Sequence, residues 1–590
     1  MIRKFFFLLI LNSIFLILNS FPAYAVAQFT TLYDITYTID SSGTTTVSYD
    51  ISQTNNLSSV YATQFALSVS QTDIQNISVK DENTPLTPDI ISTDNITNIT
   101  FPFANKVVGK DKVHHFSLSY KTKDIAIKIG SVWEVNIPRL TSNDGTASVN
   151  LTLKTHPDFS QLSFINPKPN RTEGNTYYFN SQSLANRSIS AVFGDTQYFK
   201  FTLFYNLTNP TKNNLSTTIN LPPDTQYQQI YYQDISPRPE SVAIDPDGNW
   251  IATVIIPPKT DIRIKAEGVV KTFLKPSPMP LPDPSLYTRS NDYWPTNDRF
   301  RQIAQKLTTP ESIYQYVVDY LHYDYSRLQG SEQRGGANFA LDNPNKTICT
   351  DFTDLFISLA RSKNIPAREL QGYAFSSNDK LRPLSLSQDI LHAWPEYYDP
   401  LKGTWVQIDP TWANTTNGIN YFDKLDLNHI VFAIHGLNPQ LPPPAGSYKT
   451  TNSKDVLIDP TSNTHFPTAE IDLEVINYSS DTLRLEVDNK SGVSAKGPLT
   501  INNASVNLDL PAYGNQVVNI PYKTKFSLKN QPVTVNILFN GQNYSKTFTL
   551  RQELPVVYLY ATGAIVLVSI ALIAGYLYLR RRKSHSPVHW

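Results

Sequence analysis

The sequence has almost no sulfur: one cysteine and two methionines occur among its 590 residues. A single cysteine cannot form an intramolecular disulfide, which excludes a small cystine-stabilised scaffold. The domains must therefore be stabilised by the size of their own cores. A chain with so few oxidisable side chains suits an oxidising extracellular environment.

An excess of charge of either sign is also missing. Lys and Arg together number 50, as do Asp and Glu, and charged residues make up only 17% of the chain. This balance gives no electrostatic basis for binding nucleic acid, so we expect no nucleic-acid partner. Few charges combined with 33 Tyr and 41 Pro are typical of β-rich extracellular proteins, and the length allows three or four domains.

The N-terminus has the features of a secretory signal. Arg3 and Lys4 precede an apolar run at residues 5–18, and the small residues of Ala23-Tyr24-Ala25 follow it. The sequence therefore predicts a signal peptide over residues 1–25 that is removed on export. No cysteine follows the run, which excludes attachment to lipid as a lipoprotein.

A second apolar run lies near the C-terminus. Residues 556–579 contain no charge and are followed by four basic residues at 580–583. As a helix this run is about 36 Å long, enough to cross a bilayer, and the basic residues favour the cytoplasmic side. We therefore expect a single-pass plasma-membrane protein with a transmembrane helix at 556–579, its N-terminal ectodomain outside, and a short cytoplasmic tail at 580–590.

Short runs of alternating polar and apolar residues follow the signal peptide. For example, residues 30–39 and 44–51 alternate on either side of an Asp-Ser-Ser-Gly turn. This is the pattern of β-hairpins. The sequence predicts an N-terminal β-sandwich-like region that consists of a β-rich domain at 26–158 and a second β-rich domain at 159–273.

Two proline-rich stretches divide the rest of the chain. Residues 274–296 and 439–467 are predicted to be linkers. Between them, residues 297–438 change to apolar residues at helical spacing mixed with strand-like runs. After the second linker, alternation returns, and residues 468–552 are predicted to form an immunoglobulin-like (Ig-like) β-sandwich.

Cys349, the one cysteine, stands at the start of a predicted helix. Apolar residues recur behind it at the spacing of an amphipathic helix, namely Phe352, Leu355, Phe356 and Leu359. The N-terminus of a helix carries a partial positive charge, which stabilises the thiolate form in which cysteine is a nucleophile. The alternative is that Cys349 is a small buried core residue.

A histidine and an aspartate follow in two runs rich in aromatic residues and valine. His392 and Asp409 stand in runs separated by a turn signal at residues 399–403. Adjacent antiparallel strands would bring these two side chains together. In that arrangement Cys349 attacks a carbonyl, His392 takes and returns the proton, and Asp409 fixes the imidazole tautomer. The sequence thus predicts Cys349, His392 and Asp409 as catalytic residues acting through a thioester.

These residues lie in an ordered set of short motifs. The set resembles the transglutaminase-like core of the papain-like cysteine enzymes, and it consists of Cys349-Thr350-Asp351-Phe352, Ile365-Pro366-Ala367-Arg368, Gly372-Tyr373, His392-Ala393-Trp394 and Trp405 with Asp409-Pro410-Thr411. The resemblance covers about residues 297–435. It implies a papain-like α+β fold with Cys349, His392 and Asp409 in catalytic roles.

Two details of the motifs leave questions open. Pro395 stands where the family usually has an apolar strand residue, which predicts that its strand is an edge or is bulged there. The side chain that completes the oxyanion hole has four alternatives, Tyr323, Tyr325, Asn338 and Gln388.

The remaining candidates are read as structural. His429 and His435 are expected to be structural or loop residues, and the tryptophans of the motifs are expected to line the core and the cleft. No His, Cys, Asp or Glu cluster has metal-ligand spacing and no glycine-rich phosphate loop occurs, so we expect no metal and no cofactor.

The sequence thus predicts a cell-surface transglutaminase-like cysteine enzyme that transfers or hydrolyses acyl groups at amide bonds of a protein or peptide substrate. The first alternative is a cysteine peptidase or amidase that acts on surface proteins or wall peptides. The second is a non-catalytic adhesion or scaffold protein with a degenerate core, because a fold alone does not determine a function.

Overall fold

The computed structural model describes residues 27–71, 73–93, 96–140, 146–184, 187–329, 334–375, 391–416, 420–422, 425–449, 454–479, 481–522, 531–550 and 556–583. The predicted signal peptide and Gln388 lie outside these residues. The described chain forms two compact units, a first unit within residues 1–240 and 244–466 and a second unit within 241–243 and 467–590.

The alternating segments at the start of the first unit form strands, as the sequence predicts. They are β1 (Phe29–Ile39), β2 (Thr45–Asn55), β3 (Gln64–Val69), β4 (Ile74–Asp81), β5 (Thr84–Leu86), β6 (Asp89–Ser92), β7 (Thr97–Pro102), β8 (Val113–Thr122), β9 (Ala126–Ile129), β10 (Val132–Ile137), β11 (Thr146–Lys154), β12 (Leu162–Asn166), β13 (Arg171–Glu173), β14 (Thr176–Asn180) and β15 (Ile189–Phe193), with a short helix α1 (Ser181–Leu184). The predicted turn joins β1 to β2, and Asp40 Oδ1 accepts the backbone N–H of Ser42 at 2.8 Å and of Thr44 at 3.0 Å.

These strands form three sheets, in the orders β13-β14-β11-β1-β2-β8-β4-β5, β12-β15-β10-β9 and β3-β7-β6. The predicted domain boundary at 158/159 is not where the pairing divides the chain, because β11 pairs with β14 and β10 pairs with β15 across it. The next sheet begins only at Thr196. Alternation along a strand carries no information about its partner, so the sequence did not reveal this.

A second group of strands follows along the chain. It contains β16 (Thr196–Asn209), β17 (Leu215–Leu221), β18 (Gln228–Ser236), β19 (Ser241–Ile244), β20 (Trp250–Ile256) and β21 (Thr260–Phe273). β16 and β21 form a continuous antiparallel pair, β18 lies on the other side of β21, and β17 pairs with β20. The residues after β21 include a 3₁₀ turn at Pro284–Thr288.

The helical part of the chain lies beyond this turn. Its helices are α2 (Asp298–Gln305), α3 (Pro310–Tyr320), α4 (Gly336–Asp342), α5 (Cys349–Ser362) and α6 (Pro410–Thr415). Its strands are β22 (Ala367–Ala374), β23 (His392–Asp399), β24 (Thr404–Gln407) and β25 (His429–His435), which form an antiparallel sheet in the order β24-β23-β22-β25. This helix-then-sheet arrangement is α+β. We call it the core domain.

Helix α5 is the centre of the core domain. Phe352, Leu355, Phe356 and Leu359 are fully buried, as the helical spacing predicts. The polar side of the helix is buried too, which a helix with a single apolar stripe would not show. Asp351 and Asp354 lie on that side and form ion pairs with Arg327 and Arg334.

Pro395 lies in a strand that is neither an edge nor bulged, so this prediction was wrong. β23 has a neighbour on each side, and its pairing with β22 is regular from Ala367↔Tyr397 to Gly372↔His392. The ladder with β24 starts only at Glu396. The Pro395 carbonyl accepts the Ile408 N–H at 3.1 Å just past that ladder. The missing N–H of the proline therefore falls where the ladder has ended.

Strand β25 is the edge of the core sheet, and side-chain amides close that edge. Gln228 accepts the Val431 N–H and donates to the Val431 carbonyl, both at 2.8 Å. Asn249 bonds Ile434 in the same two-way manner, at 2.7 and 2.8 Å. An open strand edge leaves backbone groups unpaired, and these amides satisfy them. The preceding β region thereby fixes the position of β25.

The predicted linker 439–467 contains a further strand, β26 (Val456–Pro460). β26 pairs antiparallel with β16, from Phe199↔Pro460 to Leu203↔Val456, and forms the last strand of the order β18-β21-β16-β26. Part of this proline-rich stretch is therefore sheet. The core domain leaves the β region after β21 and returns to the same sheet at β26.

The second unit is also built of strands. It contains β27 (Ile471–Tyr478), β28 (Thr482–Asn489), β29 (Ala495–Ile501), β30 (Ala504–Leu510), β31 (Asn515–Pro521), β32 (Gln531–Phe539) and β33 (Gln542–Leu550), in sheets of order β27-β28-β31 and β30-β29-β32-β33. Helix α7 (Val556–Lys583) ends the described chain. Within the described residues it is the one helix long and apolar enough to cross a membrane, over Tyr560–Arg582. The chain is thus a β-rich multidomain protein with an apolar C-terminal helix.

Candidate active site

Cys349 is the first residue of α5 and is 2% exposed. The turn that holds it is fixed by Asp351, whose Oδ2 accepts the Ile348 N–H at 2.9 Å and Arg327 Nη1 at 2.7 Å. Within the helix, Thr353 donates to the Cys349 carbonyl at 2.9 Å. The cysteine therefore lies at a rigid helix N-terminus, where the partial positive charge favours an anion.

His392 and Asp409 lie next to each other. His392 opens β23, and Asp409 follows β24 as the N-cap of α6. The capping oxygen, Oδ1, accepts the backbone N–H groups of Thr411 at 2.9 Å and Trp412 at 3.0 Å. The other oxygen, Oδ2, accepts from His392 Nε2 at 2.9 Å. Two roles, helix capping and orientation of the imidazole, thus fall to the two oxygens of one carboxylate.

The hydrogen bond to Asp409 fixes the histidine tautomer. An ionised carboxylate only accepts, so His392 Nε2 carries a proton. The other nitrogen, Nδ1, is buried and has no hydrogen-bond partner among the described residues. It is therefore the atom of the ring that remains for proton transfer.

The charges around His392 favour its protonated form. Burial of the ring lowers its pKa, but the charge and hydrogen bond of Asp409, together with the neighbouring Cys349, raise that pKa to about 10. Burial raises the pKa of Asp409, yet His392 and His429 together hold that pKa below its ordinary range. Cys349 is thus close enough to His392 to favour a positive charge on the ring.

Two tryptophans enclose the imidazole. Trp394 stacks on His392 with ring centroids 5.8 Å apart, and Trp412 stacks on it at 5.3 Å. Both are fully buried, as expected for core and cleft-wall residues. Trp405 lies elsewhere, over the guanidinium of Arg368 at 4.3 Å. The tryptophans next to His392 exclude water and strengthen its electrostatic contacts.

His429 is part of the same cluster, and the expectation of a structural or loop residue missed this contact. It opens strand β25, its Nε2 lies 3.2 Å from Asp409 Oδ2, and its Nδ1 lies 2.7 Å from Asp426 Oδ1. His435, at the other end of that strand, lies outside this cluster, and its Nδ1 is 3.1 Å from Glu369 Oε2. Only the pairing of β25 with β22 brings His429 here, and no local sequence signal shows that pairing.

His392, Asp409 and His429 also form the one group, among the described His, Cys, Asp and Glu, whose donor atoms lie close enough for a single metal ion, within 4.8 Å of one another. Zinc accepts such a donor set. Here, however, both Nε2 atoms lie at hydrogen-bonding distance from one carboxylate oxygen. That oxygen can accept a hydrogen bond from each Nε2, so we treat the three residues as a hydrogen-bonded relay.

Among the described alternatives for the oxyanion donor, Tyr323 is the one whose pKa the charge of Cys349 affects. Its hydroxyl is buried and has no hydrogen-bond partner in the described part of the chain. Burial, followed by the charge of Cys349, raises the pKa of Tyr323 above its ordinary range, so its proton is retained. Tyr325 is 47% exposed and Asn338 is also exposed.

The core domain thus combines a buried thiol at a helix N-terminus with a His–Asp pair formed by the first residue of β23 and the N-cap of α6. Residues 297–410 match the model of the Transglutaminase-like superfamily. The chain therefore contains a transglutaminase-like domain, as its motifs indicate. This match supports a cysteine-type enzyme activity in general terms.

Several solved structures are similar to parts of the chain. A candidate cysteine protease from Cytophaga hutchinsonii is 16% identical with a TM-score of 0.29, over 57% of this chain and 93% of that one. The periplasmic domain of TgpA from Pseudomonas aeruginosa is 14% identical with a TM-score of 0.21, over 38% and 92%. Scores this low carry no functional argument. No curated protein sequence matches the chain.

Proposed function

We propose that this protein is a cell-surface cysteine enzyme that transfers or hydrolyses the acyl group of an amide through a thioester on Cys349. One observation carries the proposal: Asp409 holds His392 through Nε2, and the charge of Cys349 acts on the same ring. His392 Nδ1 is buried and unpaired among the described residues, so it is available for the thiol proton. The transglutaminase-like domain supports the class of enzyme.

In the first step the Cys349 thiolate attacks the carbonyl carbon of the amide. The C–S bond forms while the carbonyl π electrons move onto oxygen. The Cys349 N–H at the start of α5 and the Tyr323 hydroxyl are the donors we assign to that oxyanion. Collapse breaks the C–N bond, the leaving nitrogen takes the proton from His392 Nδ1, and a thioester and a free amine result.

In the second step an amine or a water molecule attacks the thioester. Its proton passes to His392 Nδ1 as the new C–N or C–O bond forms, and the C–S bond breaks to return the thiolate. Asp409 remains ionised throughout and stabilises the imidazolium of the resting pair. An amine acceptor gives transamidation, and water gives hydrolysis.

The surface location is part of the proposal. The apolar span Tyr560–Arg582 supports membrane anchoring. The predicted signal peptide supports export of everything that precedes this span. The substrate is then a protein or peptide outside the cell.

The first test is labelling of Cys349 by a low dose of iodoacetamide between pH 4 and 9, read by intact mass on the full-length protein in detergent. With one thiol in the chain, each adduct reports Cys349 directly. We expect fast labelling at pH 5 to 6, at least tenfold slower labelling in His392→Ala, and none in Cys349→Ala. Labelling that begins only near pH 8.5 and ignores His392→Ala would refute the proposal.

A second test identifies the reaction. The enzyme is incubated with a glutamine-containing peptide, with and without a primary amine, and the products are weighed. A gain of the amine with loss of ammonia means transamidation, a gain of about one dalton means side-chain hydrolysis, and peptide fragments mean a peptidase. Cys349→Ala is the control. A biological role that survives Cys349→Ala favours the scaffold alternative.

A further inference from the structure

Asp409 is held by more partners than a histidine-orienting carboxylate needs. Oδ1 takes two backbone N–H groups, and Oδ2 takes both His392 Nε2 and His429 Nε2. His429 continues the chain of bonds to Asp426. Asp409, His392 and His429 are all buried.

The geometry also indicates the charge of His429. Its two nitrogens each face a carboxylate oxygen, at 3.2 Å on Asp409 and 2.7 Å on Asp426. Ionised carboxylates only accept hydrogen bonds, so both nitrogens must carry a proton, and the ring is an imidazolium. Burial lowers the pKa of His429, but the charge of Asp426 and the bond to Asp409 outweigh burial and raise that pKa.

We infer that His429 is a positioning residue of the proposed active site: as an imidazolium it holds Asp409 Oδ2 in place and adds a positive charge beside the His392–Cys349 pair, and so sets the pH at which Cys349 becomes reactive. The inference rests on the proposed function. The ring of His429 lies 5.6 Å from the ring of His392, centroid to centroid, which is close enough for a charge on one ring to act on the other.

Aromatic rings and titratable groups surround His429 in the described part of the chain. Trp394 and Trp412 cover the ring with centroids at 4.8 and 4.6 Å. Among the described residues, the titratable groups near it are Asp409, Asp426 and His392, with Tyr227 on the wall of an adjoining cleft and Glu134 bonded to the neighbouring Asn428. That cleft has about 70 Å³ of space for water and reaches both His429 and Asp426.

Two substitutions at this end of the relay change the local charge in opposite directions. His429→Gln keeps an N–H donor for Asp409 but removes a positive charge, which disfavours the thiolate. We expect the onset of fast Cys349 labelling to move up by about one pH unit. Asp426→Asn keeps an acceptor for His429 but removes a negative charge. We expect the onset to move down by a smaller amount.

The matched control is His435→Gln, because His435 is a buried histidine on the same strand that bonds a different carboxylate, Glu369. Its labelling profile should equal that of the wild type. Unfolding temperatures show which variants are folded, and if His429→Gln does not fold, the direction of the Asp426→Asn shift decides.

Opposite shifts in His429→Gln and Asp426→Asn support the inference. Unchanged profiles, or equal slowing in both variants, would mean that His429 only fills space. A wild-type profile that changes on adding EDTA would mean that the relay binds metal, and would overturn the inference as well. A profile sensitive to His392→Ala but not to His429→Gln leaves the proposed function standing, whereas one insensitive to both overturns both.

Discussion

Arg327 and Asp351 form a buried ion pair beside the nucleophile, with Arg327 Nη1 2.7 Å from Asp351 Oδ2 and side chains only 8% and 1% exposed. Asp351 lies in the first turn of α5, two residues after Cys349. Arg327 also donates to the Lys346 carbonyl at 2.6 Å. The pair thus joins the chain before Cys349 to the helix that begins with it.

Removing one partner of this pair should be costly. In Arg327→Met the Asp351 carboxylate stays buried without its cation, and we expect a loss of about 3 kcal/mol in the free energy of unfolding. Urea unfolding followed by tryptophan fluorescence measures it. The control is Arg301→Met, which removes an exposed pair with Asp298 and should cost under about 0.5 kcal/mol. Equal losses in both variants would contradict the importance of burial.

Replacing the carboxylate of Asp409 by an amide separates its charge from its shape. Asp409→Asn can still cap α6 through Oδ1, so the fold should persist. The negative charge beside His392 is lost, and the pKa of His392 should fall from about 10 toward its ordinary value. We expect Cys349 labelling at pH 6 to slow at least tenfold. An unchanged rate would show that Asp409 does not act through its charge.

Stability should depend on pH through His392. Its pKa is about 10 in the folded protein and 6.5 as an ordinary histidine. A group whose pKa is raised on folding stabilises the folded state fully below its unfolded pKa and loses that contribution as pH rises through the folded value. Urea unfolding should therefore show a fall in stability between pH 7 and 10, of at most about 5 kcal/mol. In His392→Gln that part of the fall should be absent; an identical pH dependence would contradict the assignment.

The amide that closes the edge of the core sheet is a further test. Gln228→Leu keeps the size of the side chain but leaves the N–H and carbonyl of Val431 buried and unpaired. We expect a loss of about 2–4 kcal/mol in stability. The control is Gln229→Leu on the opposite face of the same strand, which should be nearly neutral. If Gln228→Leu is also neutral, water replaces the amide.

Local sequence patterns predicted the parts of the site that are local. The apolar spacing behind Cys349 gave helix α5, and the turn signal between residues 399 and 403 gave the β23–β24 hairpin, with Asp399 paired to Thr404. The hairpin carries His392 and Asp409 to one end. Each of these depends on residues within about 15 positions of each other, where periodicity and turn chemistry are informative.

Contacts between distant segments were not predictable in this way. His429 meets Asp409 only because β25 pairs with β22, and its strand is aligned by Gln228, some 200 residues earlier in the chain. The polar face of α5 is buried because Arg327 and Arg334 pair with its aspartates. Strand β26 joins β16 across a similar gap. The alternation of polar and apolar residues along a strand does not indicate which other strand it pairs with.

The return of the chain to β16 has a mechanical consequence. In the sequence the core domain is inserted between β21 and β26, and these two strands lie on either side of β16. A pulling force applied at residue 466 meets the five residue pairs of β16 and β26 before it meets any helix or strand of the core domain. Breaking that short ladder would therefore release the force before it reaches the core domain. A force applied from the C-terminal side should separate β26 from β16 while Cys349, His392 and Asp409 keep their arrangement.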